Sequence, residues 1–164
     1  MQIQLEQIFN IEGSKKEFDH SFEPEYALSD DISLDTPGVA VRGKIDNNTG
    51  IVSLSGIASF SATAVCSRCA EEFKKQFQVP IEHLLVNKLV NEDNDDYIVV
   101  ENSVLDLDAL VCEDIVLSLP GKFLCHEDCK GLCAKCGKNL NDGPCDCKKD
   151  VDPRLAALLQ LLDD

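Results

Sequence analysis

The chain has 164 residues, enough for one domain with a small appendage and too few for two catalytic domains. Hydrophobic residues make up 44%, so a core can be buried, but aromatics supply 5% and Trp is absent, which leaves the packing to aliphatic side chains. Acidic residues outnumber basic ones 30 to 15, for a formal charge of −15, the reverse of what a broad phosphate-binding surface needs, so nonspecific nucleic-acid binding is disfavoured.

Met1 to Asn10 carries no basic segment and no long apolar run, and so does not read as a secretory signal. The longest apolar stretches, Leu84 to Val90 and Leu107 to Leu119, are short and not built to span a membrane. The nine cysteines are therefore read in a reducing, cytoplasmic setting, where metal or thiol chemistry is expected before a disulfide scaffold. The segment from Met1 to Pro37 is less distinctive, and nothing is rested on it.

From there the pattern is that of strands. Val39, Val41 and Ile45 alternate, and Asp46-Asn47-Asn48-Thr49-Gly50 supplies residues that tolerate a tight turn. Ile51 to Val65 follows, with Val52, Leu54, Ala58, Phe60, Ala62 and Ala64 on one parity and Ser53, Ser55, Ser59, Ser61 and Thr63 on the other: one face buried, one wet. Cys66-Ser67-Arg68-Cys69 comes next, and Phe73, Phe77 and Val79 then suggest a returning strand, which places this cysteine pair at a hairpin tip. Asn91 to Asp114 has nine acidic residues and no Lys or Arg, and reads as a solvated loop running into the next element. That element spans Asp106 to Leu119 as a helix, with Asp106 as its cap, Leu107, Val111 and Ile115 on its apolar face, and Pro120 as its stop. Cys112 beside that face reads as a core thiol. At the end of the chain, Asp152-Pro153 opens an amphipathic helix with Leu155, Leu158, Leu159 and Leu162 on one stripe.

Between Cys125 and Cys147 lie six cysteines but only three other apolar side chains, Leu132, Ala134 and Leu140, too few to hold a fold by burial. Cys133-Ala134-Lys135-Cys136-Gly137 has the spacing and trailing glycine of a zinc knuckle. Cys145-Asp146-Cys147 can complete a tetrahedron, because Asn139 to Pro144 is rich in turn formers and lets the chain reverse. Disulfides are the competing reading. Cys66, Cys69, Cys125 and Cys129 remain as a second set of four, whose connectivity spacing alone does not decide, and His126 could stand in for one of them. A redox role for Cys66 and Cys69 is disfavoured, since the pair follows a strand and precedes Glu71 and Glu72 rather than opening a helix. Lys130, Lys135, Lys138, Lys148 and Lys149 surround the cysteines, where they can offset thiolate charge or, on the sharper reading, touch RNA.

The run from Leu119-Pro120 through Leu124-Cys125-His126-Glu127-Asp128-Cys129-Lys130-Gly131-Leu132-Cys133 to Cys136-Gly137-Lys138-Asn139-Leu140-Asn141 resembles the cysteine-rich branch of the YceD family. Cys66-Ser67-Arg68-Cys69 with Phe73, Asp106-Leu107-Asp108 leading to Leu117-Ser118-Leu119-Pro120, and Asp152-Pro153-Arg154-Leu155 resemble that family's other motifs, so the likeness covers most of residues 38 to 162. It implies a protein needed for accumulation of large-subunit (23S) ribosomal RNA, and no catalytic mechanism. Because some members lack most of these cysteines, it also implies that metal staples the fold.

These readings converge on an α+β chain: a largely antiparallel sheet domain over 1–120, a cysteine-rich zinc module over 121–150 and a terminal helix over 151–164. The expected role is noncatalytic. A surface this acidic suits a basic ribosomal protein or a large-subunit assembly intermediate better than bare RNA, with any rRNA contact local or indirect, and no membrane is involved. A zinc-dependent hydrolase is the competing class. It would need an open metal position and mixed ligands, whereas His20, His83 and His126 are scattered, without paired helical spacing. A thiol redox protein is the other alternative.

Overall fold

The computed structural model describes residues 1–35, 38–88 and 97–147. The architecture follows from two long alternating strands. β4 (Val39–Asn48) and β5 (Ile51–Val65) form a hairpin whose two-residue turn, Thr49 and Gly50, has positive φ at both positions (53° and 86°). This is the mirror-image turn whose twist matches that of paired strands. β5 continues into β6 (Glu72–Val86), its antiparallel partner from Val52↔Leu85 to Val65↔Glu72. Pro80 sits in β6 without breaking it, because the neighbour on the far side reaches only Leu84–Val86 and leaves Pro80 on an open edge.

That neighbour is β7 (Tyr97–Val99), and its pairing with β6 is parallel. On the other side, β2 (Lys15–Phe22) pairs with β4, and β3 (Ile32–Leu34) pairs with β5 beyond the end of β4. The result is a curled, half-barrel sheet of six strands, antiparallel except at β7. A separate two-stranded sheet joins β1 (Gln2–Gln4) to β8 (Val104–Asp106). α1 (Glu6–Asn10) and α2 (Leu107–Ser118) complete the described elements, apart from one turn of 3-10 helix at Glu101–Ser103.

The core lies in the hollow of the sheet. Val52, Leu54, Ala58, Phe60, Ala62 and Ala64 of β5 point into it together with Val39, Val41 and Ile45 of β4 and Ile3, Leu5 and Ile8 from the first segment. α2 delivers Leu107, Val111 and Ile115, all fully buried, and each is worth roughly 1.5–3 kcal/mol over its exposed state. Asp106 caps this helix by accepting from the Ala109 amide at 3.4 Å, and Cys112 is buried on it, both as the sequence suggests.

One expectation needs correction. Ahead of the expected helix, the stretch from Asn91 is not simply a loop: β7 and β8 lie within it, and Val100 and Leu105 are buried. The acidic count hid short apolar runs that need only three residues each to pair with an existing edge. The less distinctive segment before Pro37 contributes three strands and a helix to the expected sheet domain. The expected terminal helix over 151–164 lies outside the described residues, as do Lys148 and Lys149.

Candidate metal centres

Cys66 directly follows β5 and Cys69 precedes β6, so the sheet's longest hairpin carries two thiols at its tip. The tip is tight: the Ala70 amide donates to the Cys66 carbonyl at 2.8 Å and Ala70 itself takes a left-handed φ of 59°. The chain after α2 lies against this tip. Ser67 donates its amide to the Phe123 carbonyl (2.8 Å) and accepts from the Phe123 amide through its hydroxyl (3.2 Å). Arg68 Nη1 donates to the carbonyls of Glu127 (3.3 Å) and Cys129 (2.8 Å), and the Leu132 amide donates to the Arg68 carbonyl (3.1 Å). Gly131, at φ 74°, passes so close to Arg68 that a Cβ would stand 2.9 Å from its carbonyl oxygen.

These contacts bring Cys125 and Cys129 to Cys66 and Cys69, and the four sulfurs lie within 4.8 Å of one another. Cys66 Sγ is 3.8 Å from Cys129 Sγ, and Cys69 Sγ is 3.7 Å from Cys125 Sγ. A tetrahedral ion with metal–sulfur bonds of about 2.3 Å has sulfur–sulfur edges of roughly 3.8 Å. The separations are far beyond the ~2.05 Å of a disulfide, and all nine cysteines are free thiols. His126 Nδ1 lies 3.1 Å from Cys125 Sγ, beside a set already complete in sulfur.

The second set is local. Cys133, Cys136, Cys145 and Cys147 likewise gather within 4.8 Å. The Gly137 amide donates to the Cys133 carbonyl (2.9 Å) and the Cys133 amide to the Lys138 carbonyl (2.8 Å), with Gly137 at φ 70°, which closes the knuckle that the trailing glycine suggests. Lys138 Nζ donates to the Pro144 carbonyl at 2.9 Å, pinning the reversal that returns Cys145 and Cys147. Asn141 links the two sets: its Nδ2 donates to Cys129 Sγ (3.3 Å) and its Oδ1 accepts from the Lys130 amide (2.8 Å). Asn139 reaches Glu71 Oε1 at 2.8 Å, a second tie to the hairpin. Neither asparagine stands out in the sequence, where both look like turn formers.

Electrostatics within each set is that of thiols competing to ionise. At Cys66 burial is the largest influence and opposes ionisation, but the amides of Cys125, Cys69 and Arg68 together outweigh it and bring the thiol down to about 6. Cys69 goes the other way, to about 12: the Glu71 amide favours its thiolate, yet burial and the neighbouring sulfurs of Cys66, Cys125 and Cys129 prevail. In the second set the amides of Cys136 and Lys135 lower Cys133 to about 6, while the Cys136 sulfur, with burial, raises Cys147 to about 12. Four crowded sulfurs cannot all ionise unaided, and a divalent cation at their centre supplies the missing charge. Both sets could therefore hold metal ions.

His20 and His83 belong elsewhere. His83 on β6 meets Asp114 of α2 at 2.8 Å, and His20 on β2 lies 3.3 Å from Asp108.

Both sulfur sets fall inside the stretch recognised by comparison with known families. A profile described as large ribosomal RNA subunit accumulation protein YceD matches residues 54–162. The chain belongs to the YceD family. Among YceD-like relatives, the uncharacterized protein YlbN of Bacillus subtilis is 30% identical over 161 residues, covering 95% of this chain and 93% of its own. The uncharacterized protein Mb2951c of Mycobacterium bovis is 28% identical over 117 residues, 68% of this chain and 56% of its own. ML1660 of Mycobacterium leprae, also uncharacterized, is 26% identical over 124 residues, 73% of this chain and 57% of its own. No solved structure matches the chain. Among the described residues no helix is long and apolar enough to cross a membrane.

Proposed function

We propose that this YceD-family chain is a noncatalytic, cytoplasmic factor in large-subunit assembly, that it supports accumulation of 23S ribosomal RNA, and that zinc fills both cysteine sets. The family description supports the link to accumulation of large-subunit ribosomal RNA. The donor chemistry supports zinc: all-sulfur tetrahedral sites suit zinc or iron, and isolated four-cysteine sites with knuckle spacing are those of structural zinc. Four sulfur ligands leave no open position for a substrate or an activated water, which favours a staple over a hydrolase.

The acidic surface selects the partner. A charge of −15, made more negative by each four-thiolate zinc site, repels bare RNA and attracts a basic ribosomal protein or an assembly particle that displays one. Crosslinking in growing cells, followed by purification at graded salt, tests this. Recovery of ribosomal protein or large-subunit precursor, weakening as salt rises, is the expected result, and recovery of free RNA alone would refute it. Metal analysis of the purified chain should return about two zinc ions and no iron.

A further inference from the structure

The two sulfur sets differ in what must move to expose them. In the inner set Cys66, Cys69 and Cys129 are 2%, 3% and 3% exposed, with Phe73 and Leu124 packed against them, and only Cys125 is half-buried. Its ligands come from opposite ends of a long excursion of chain, the hairpin tip and the segment after α2. To open it, the chain must part these two bodies, which means breaking the Ser67–Phe123 pair, both Arg68 bonds and the Leu132–Arg68 bond. In the outer set Cys136 is exposed and the other three are half-buried. All four ligands lie within residues 133–147, and the local bonds from Cys133 to Lys138 and from Lys138 to Pro144 hold the loop closed.

Metal leaves a thiolate site when an incoming ligand reaches the ion as the protein's sulfurs let go one at a time. Access and the cost of local opening therefore set the rate. We propose that the outer set is an exchangeable metal site and the inner set a permanent clamp, so that the outer knuckle folds and unfolds with metal supply while the sheet and the inner clamp stay intact. This rests on the reading of both sets as metal sites. The partners that orient and shield ligands are worth ~10–100-fold in metal affinity, and at the inner set the Arg68 bond to the Cys129 carbonyl is one that lies outside the outer loop. Loss of the outer ion opens the bond from Lys138 to the Pro144 carbonyl, which gives metal supply a way to alter whatever surface the module presents.

The test uses the full chain loaded with zinc and mixed with excess 4-(2-pyridylazo)resorcinol, which reports released zinc by colour. Two phases of one ion each are expected, the first at least about tenfold faster than the second. Amide resonances of residues 133–147 should collapse during the first phase, while those of β4, β5 and the 66–69 tip persist. Cys136→Ser should abolish the fast phase and keep the slow one, and Cys145→Ser repeats the test at a second position. Release of both ions in a single phase, or disturbance of the 66–69 amides before those of 133–147, would overturn the proposal while leaving two metal sites in place. A chain that binds no zinc at all removes the metal reading itself, and the proposal with it.

Discussion

Asn47 is a buried polar side chain, 2% exposed, and each of its groups is used. Its Nδ2 donates to the Ile8 carbonyl at 2.7 Å, its Oδ1 accepts from the Gly50 amide at 3.0 Å, and its backbone exchanges bonds with Gly13 and Ser14. One residue thus satisfies a carbonyl at the end of α1 and braces the β4–β5 turn. Asn47→Ala would leave the Ile8 carbonyl and the Gly50 amide without that partner, and should cost about 1–3 kcal/mol in urea unfolding with an unchanged slope. Two residues on, Thr49 holds φ 53°, a conformation that a β-branched side chain resists. Thr49→Asn keeps the turn with a residue that accepts it, and should raise stability by about 1 kcal/mol in the same assay.

At the scale of elements, β4 and β5 approach each other at one point so closely that only glycine fits. Gly43 and Gly56 face each other in register. A Cβ on Gly43 would stand 2.3 Å from the Ser55 carbonyl oxygen and 2.8 Å from the Gly56 Cα, and one on Gly56 would stand 2.6 Å from the Arg42 carbonyl oxygen. These are backbone atoms of a paired strand, so they cannot turn aside as a side chain can. Gly43→Ala should therefore cost ~1–3 kcal/mol, and amide exchange should rise first along β2 and β4, at the edge of the sheet next to the clash. A substitution of the same size on the wet face, Ser53→Ala, should leave stability within about 0.5 kcal/mol of the parent.

For the whole molecule, the question is what joins the cysteine-rich segment to the sheet. Phe123 enters the main core, stacking edge-on against Phe77 at 6.1 Å, and past it the described attachment is Leu124 packed at the inner thiols, those thiols themselves and hydrogen bonds. Cys66→Ser should therefore release the segment from the hairpin, and limited proteolysis should cut between residues 124 and 132 while the sheet resists. Cys133→Ser should open cleavage only from about residue 133 onward. Acidification should act on the two sets together in one direction: protons compete with metal for thiolates, so zinc affinity falls as pH drops and each ion leaves with proton uptake, measurable as metal retained after dialysis at stepped pH.

Local chemistry was enough to locate β5, the β4–β5 hairpin, α2 with its Asp106 cap, and the cysteine knuckle, because periodicity, capping and turn formation act over a few residues and leave their mark on neighbours. The family likeness was legible for the same reason, in motifs each only a few residues long. What the folded chain alone decided is long-range. β1, β2 and β3 exist because edges of other strands were waiting for them, β7 pairs in parallel with the Leu84–Val86 end of β6, and Asn47 and Asn141 acquire their roles from carbonyls and sulfur far away in sequence. The meeting of Cys66 and Cys69 with Cys125 and Cys129 belongs to this second class. Spacing names the ligands that can share an ion within one loop, but only the docking of one segment on another can bring together thiols separated by more than fifty residues.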